Sequence, residues 1–111
     1  MKGSYLGEFE EIVLLVVAML EGHAYGVRIT HEIIEQTQRN VRLNQVHASL
    51  HRLEEKGMII SKFGEPTQER GGRRKRIFTI TAYGRTTLNE MKEVRSRLWN
   101  LLPSTMKIEG I

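Results

Sequence analysis

At Gly57 the period of the sequence changes, and that switch constrains the fold more than any other feature. Upstream, apolar residues recur at helical spacing; downstream, Met58–Phe63 and Arg76–Thr81 are short β-rich runs separated by GEPTQERGGRRK, residues 64–75. Two such runs with a polar, glycine-containing connection predict a β-hairpin with a long loop.

Three helical segments precede the switch. Residues 8–21 form the first, apolar on nearly every side from Ile12 to Leu20. That run is too short to cross a bilayer and follows Glu8, Glu10 and Glu11, not a basic leader, so it is expected to be a buried helix and not a signal peptide. A helix apolar all round needs cover on more than one face, which in so small a chain points to a second subunit. Gly22 ends it. The second helix is expected near residues 25–38, with Tyr25, Ile29 and Ile33 on one face and Ile34 beside them. The third occupies LNQVHASLHRLEEKG, Leu43–Gly57, with Asn44 as its expected N-cap and Gly57 as its left-handed stop.

After the hairpin, Thr81 is placed to cap a last helix from Ala82 to Leu102, stopped by Pro103. Leu88, Met91, Val94, Leu98 and Leu101 recur on it at spacings of three and four, as in a short coiled-coil seam. Such a helix has little to pack on within its own subunit, so these five residues are expected to form a dimer interface. Residues 104–111 carry no pattern. The fold class is therefore mainly α with a small β-hairpin: a winged helix-turn-helix over residues 1–81, then a C-terminal dimerisation helix and tail over 82–111, as one compact unit.

The third helix carries the chemistry. Val46, Leu50 and Leu53 fall on one stripe, and at ~100° per residue Asn44, Gln45, Ala48, His51 and Arg52 fall opposite, with His47 beside them. A helix pinned by one face and offering Asn, Gln, His and Arg from its first turns suits a DNA major groove; the bland alternative is a solvated helix face. Charge supports the first reading. Residues 41–80 carry nine Lys/Arg against four Glu, whereas residues 1–40 carry three against six. The chain's net charge of +4 is thus concentrated in its middle, where an acidic partner is expected. Its densest part is Arg70-Gly71-Gly72-Arg73-Arg74-Lys75-Arg76, in which Arg73, Arg74 and Lys75 are expected to follow DNA phosphates from the hairpin loop.

Other chemistries lack their constellations. There is no cysteine, which excludes disulfides and thiolate metal sites and fits a reducing cytoplasm. His47 and His51 stand four apart, but Ala48 replaces the glutamate of H-E-x-x-H and no third ligand is evident. Glu10-Glu11 and Glu54-Glu55 diverge around their helices and are not acid–base dyads. No nucleotide-binding glycine loop opens a helix. Neither an enzyme nor a cofactor or metal is expected. Trp99, the sole tryptophan, is either interface packing or the flat wall of a ligand pocket between subunits.

Placed in this order, Tyr25-Gly26, LHRLEEKGMI (Leu50–Ile59), GGRRKRIFTIT (Gly71–Thr81) and Gly84-Arg85 resemble the PadR family of transcriptional regulators, over roughly residues 9–100. The length and single C-terminal helix resemble its short subgroup. The resemblance implies a dimeric repressor in which the last helix, with the first, builds the interface. It also implies a planar aromatic effector bound between subunits against a tryptophan such as Trp99. One departure concerns the recognition helix, where the family usually has Tyr, and often Pro, in place of His47 and Ala48; base preferences of relatives do not transfer. The expected function is a sequence-specific homodimeric repressor of a pseudo-palindromic operator in double-stranded DNA. The alternatives are a winged-helix protein-interaction module and a non-specific DNA-binding protein.

Overall fold

The computed structural model describes residues 6–66 and 74–106. Its elements run α1 (Glu8–Met19), α2 (Gly26–Thr37), α3 (Leu43–Glu55), β1 (Ile59–Pro66), β2 (Arg74–Ile80) and α4 (Ala82–Asn100), followed by a single 3-10 turn at Ser104–Met106. The two strands form an antiparallel hairpin. Three helices and a hairpin in this order make a winged helix-turn-helix, with α4 continuing beyond the wing.

The core lies where α1, α2 and α3 meet the base of the hairpin. Val13, Leu14 and Val17 of α1, Ile29 and Ile33 of α2, and Val46, Leu50 and Leu53 of α3 are sealed from solvent with Met58 and Ile59. The expected apolar stripes of α2 and α3 are therefore the faces that pack. Burying each such side chain contributes about 1.5–3 kcal/mol, which outweighs the weak intrinsic helicity of α2, rich in Ile and Thr.

Local chemistry sets the ends of the elements. After α3, Gly57 adopts φ +79°. Its N–H donates to the Glu54 carbonyl and the Met58 N–H to the Leu53 carbonyl, each at 3.0 Å; this is the Schellman closure that a left-handed glycine permits. At the other end the expected cap is corrected: the N-cap of α3 is Arg42, and Asn44 lies inside the first turn. The Gln45 Oε1 reaches back to accept the Arg42 N–H at 2.9 Å, and that bond makes the earlier start favourable. Thr81 caps α4 as expected, its Oγ1 accepting the Gly84 N–H at 3.0 Å.

Two further expectations are corrected. The strands extend farther than the β-rich runs, to Pro66 and back to Arg74, with an irregularity between Phe63 and Pro66. Arg74 and Lys75 thus stand on a strand, not in a loop, because backbone pairing prevails over their low strand propensity. Second, α4 does find packing within its own chain. Gly84 and Thr87 are buried, and Leu88 and Met91 lie against the core. A Cβ at Gly84 would collide with the Met58 carbonyl oxygen and with Ile80. Only glycine lets the start of α4 approach the end of α3 so closely.

Candidate DNA-binding surface

The outward face of α3 carries the predicted residues. Asn44, Gln45, His47, Ala48, His51 and Arg52 are all exposed, while Ser49 is sealed beneath them. The hairpin stands next to this face: His47, Leu50 and His51 of α3 and Arg76 and Phe78 of β2 line one groove of about 270 Å³ with Glu54. A polar helix and a cationic strand therefore share one side of the molecule.

Individual side chains are held to different degrees. The His47 ring lies over Gly26 at the start of α2, 2.8 Å from where a Cβ would stand. His51 faces Glu55 at 3.5 Å, with both side chains largely exposed. Arg52 is less free than the sequence suggested. Its Nε donates to Glu10 of α1 at 2.8 Å and its Nη2 to the Ser49 hydroxyl at 3.2 Å. Lys56 reaches the other oxygen of the same carboxylate at 2.9 Å.

Glu10 is thus the pin between α1 and α3. Burial works against its ionisation, but hydrogen bonds from Lys56, Arg52 and the Gly7 N–H outweigh that and hold its carboxyl below the usual value of 4.5. Its neighbour points elsewhere. Glu11 pairs with Arg95 of α4 at 2.6 Å. The divergence of two adjacent acids lets α1 hold the recognition helix with one and the C-terminal helix with the other.

The sequence reading missed both roles. A signal existed, since Glu10 stands four and seven residues before Leu14 and Val17, on the stripe of α1 that is buried. An acid on a buried stripe needs partners. The wing has a comparable brace: Ser61 donates to Glu54 at 2.8 Å, Arg76 Nε donates to Ser61 at 2.9 Å, and the Arg76 guanidinium lies 5.7 Å from the Phe63 ring centre. Lys75 takes the other side of β2, its Nζ 4.1 Å from the centre of the Tyr25 ring. Arg74 is exposed. Arg73, with Arg70, Gly71 and Gly72, lies outside the described residues.

The remaining predicted residues separate along α4. Leu88 and Met91 are half-buried against the core, whereas Val94, Leu98, Trp99 and Leu101 are exposed. Trp99 stands with Arg95 at one end of a cavity of about 620 Å³ between α1 and α4, walled by Glu11, Leu15, Ala18 and Leu88. Among the described residues no cluster of three His, Cys, Asp or Glu side chains could hold a metal ion, and no helix is long and apolar enough to cross a membrane.

A winged helix with a polar third helix beside a cationic hairpin defines a DNA-binding transcriptional regulator. A family model described as the transcriptional regulator PadR-like family matches residues 13–90. The chain belongs to that family, and it is a regulator, not an enzyme. Solved structures share the fold. A PadR-like transcription factor from Bacteroides fragilis is 18% identical with a TM-score of 0.69, over 83% of this chain and 84% of that one. A PadR family regulator from Clostridium difficile R20291 is 23% identical with a TM-score of 0.64, over 81% and 92%. A PadR-like regulator from Bacillus cereus is 20% identical with a TM-score of 0.66, over 86% and 92%. No curated protein matches the chain.

Proposed function

We propose that the protein is a cytoplasmic homodimeric repressor that places two copies of α3 in successive major grooves of a pseudo-palindromic operator. The observation that carries this reading is the second half of α4, where Val94, Leu98, Trp99 and Leu101 are 50–74% exposed with Leu15 and Met19 of α1 exposed as well. Apolar surface gathered on two helices is the kind a second copy covers. Residues 1–81 then act as the DNA-binding part and residues 82–111 as the dimerisation helix and tail. Asn44, Gln45, His47, Ala48 and His51 meet base edges, Arg52 serves mainly to set the pose of α3, and Arg73, Arg74 and Lys75 approach phosphates. Half-sites lie roughly 34–36 Å apart or at a multiple of that.

An effector fits the same reading. A planar aromatic molecule stacked on Trp99 would occupy the space between α1 and α4 and favour a dimer whose α3 spacing misfits the operator, shifting the equilibrium by its differential affinity. A protein-interaction module is disfavoured because the exposed face of α3 is polar. The test titrates the protein's own promoter and random DNA side by side across a salt series. Two chains per site and at least about 10³-fold preference for the promoter are expected. Equal affinity for random DNA makes the protein a non-specific binder.

A further inference from the structure

The hydrogen bonds within α3 leave its polar side chains unequally free to meet DNA. Arg52 and Lys56 are drawn to Glu10, and His51 leans toward Glu55. Gln45 is divided. Its Oε1 accepts the Arg42 N–H at 2.9 Å, the bond that opens the helix, while the side chain as a whole is exposed in the first turn. What remains to face outward is the amide nitrogen with its two N–H donors.

We propose that Gln45 is a specificity-determining residue that presents donors alone and selects a base edge rich in acceptors, guanine or thymine, over adenine. The proposal rests on the reading of α3 as the recognition helix. Glutamine ordinarily reads adenine through two bonds at once, its oxygen accepting from the N6 amine and its nitrogen donating to N7. With the oxygen turned back to the Arg42 backbone, the first of these bonds is missing and the N6 amine faces no acceptor. Guanine offers N7 and O6, and thymine offers O4, all of them acceptors that suit an N–H group. Sites built around a fixed donor reject a partner that leaves polar groups unpaired. Releasing the oxygen to read adenine would return the Arg42 N–H to the orphan donors of the helix start.

Glutamate is the substitution that separates the two functions of this residue. Gln45→Glu keeps the oxygen that caps Arg42, since Glu is a customary partner at this position, and removes both donors. Gln45→Ala removes cap and donors together. The experiment selects preferred duplexes from a randomised pool with the full-length protein. It then measures, for each variant, the ratio of affinities for the selected motif and for motifs changed at one base pair.

Both variants are expected to lose about fivefold or more of the preference at one and the same pair in each half-site, the lower end of a good base contact. Thermal melting of Gln45→Glu should match the unsubstituted protein, which keeps loss of folding out of the result. If the pair concerned is A·T, replacing its adenine by purine, which lacks the N6 amine, should leave affinity unchanged. A loss on that replacement, or a preference that Gln45→Glu retains, means that the oxygen does the reading and overturns the proposal. A motif indifferent to both variants also overturns it while leaving sequence-specific binding intact. A pool that yields no motif overturns the recognition-helix reading and the proposal together.

Discussion

Helices α3 and α4 are both pinned to the core along part of one face, and they differ in what the free face offers. On α3 it is polar, and several of its groups are already satisfied: Gln45 by Arg42, and Arg52 by Glu10 and Ser49. On the second half of α4 it is apolar and uncovered, with Leu98 58%, Trp99 62% and Leu101 74% exposed. A polar surface can wait in water for a wet, charged partner at little cost, as protein–DNA interfaces require. An apolar one cannot, and it gains by burial, at roughly 25 cal/mol per Å². The difference separates a surface made for reversible DNA contact from one made for a lasting partner.

The most severe way to break this comparison is to make α4 resemble α3. Leu98→Glu places a charge in the apolar face, and in a dry dimer seam an unpaired carboxylate costs about 3 kcal/mol or more. Dissociation to monomers at micromolar concentration is expected in sedimentation. Operator affinity should fall with it, since two linked recognition helices bind far more tightly than one. A variant that still sediments as a dimer places the interface elsewhere.

A smaller but still large effect tests the covered half of α4. Gly84→Ala forces a methyl group against the Met58 carbonyl and Ile80. Overpacking against backbone costs about 1–3 kcal/mol, so the midpoint of thermal unfolding should drop by several degrees with secondary structure retained. Leu98→Glu and Gly84→Ala should therefore fail in different ways, one by dissociation and the other by unfolding.

How much of this contrast was legible in the sequence follows from what periodicity can report. The stripe of Val46, Leu50 and Leu53 and the stripe of Ile29 and Ile33 name the inward faces directly, because burial alone decides them. The period change at Gly57 named the hairpin. Periodicity could not report that Leu88 and Met91 meet their own core while Val94 and Leu98 do not. One unbroken seam passes from covered to uncovered where α4 outruns the domain, a matter of tertiary geometry. Nor could it show that Arg52 meets an acid 42 positions away. Such a pairing depends on how α1 crosses α3, and only the location of Glu10 on a buried stripe hinted at it. The cap at Arg42 was missed because Asn44 is the better capping residue by type, while the decisive bond comes from Gln45.

The pin between α1 and α3 sharpens the polar side of the comparison. Glu10 keeps its carboxyl ionised below the usual 4.5 in the folded chain. An unfolded chain binds that proton at higher pH, so the pair's contribution is complete above about pH 4.5 and declines as pH falls through the lower native value. Glu10→Gln should remove about 1 kcal/mol near neutral pH, a modest figure because Arg52 is half exposed. It should also flatten the loss of stability below pH 4.5. Glu8, held below its usual value by hydrogen bonds and charge from Arg39, will keep some slope in the variant. Denaturant titrations at pH 7, 4.5 and 3.5 check this, and an unchanged slope removes Glu10 from the account.

The smallest expected effect separates the wing from α3 within the polar surface itself. Arg74 is exposed on β2, while Lys75 is drawn to the Tyr25 ring, so the two adjacent cations should not be equal. Arg74→Ala removes a phosphate contact, which weakens all DNA sequences alike and lowers the magnitude of the salt slope by ~0.9. Lys75→Ala should change that slope less, because a cation resting on an aromatic ring begins closer to neutral in its contacts and farther from the phosphates. Gln45→Ala, by contrast, should leave the slope alone and alter only the preference among sequences. Isotherms on operator and scrambled duplexes between 50 and 200 mM salt, a range over which phosphate contacts are felt strongly at about this scale, distinguish the three. Equal slopes for Arg74→Ala and Lys75→Ala would mean that DNA pulls Lys75 off its ring, and the wing then acts as one cationic strand.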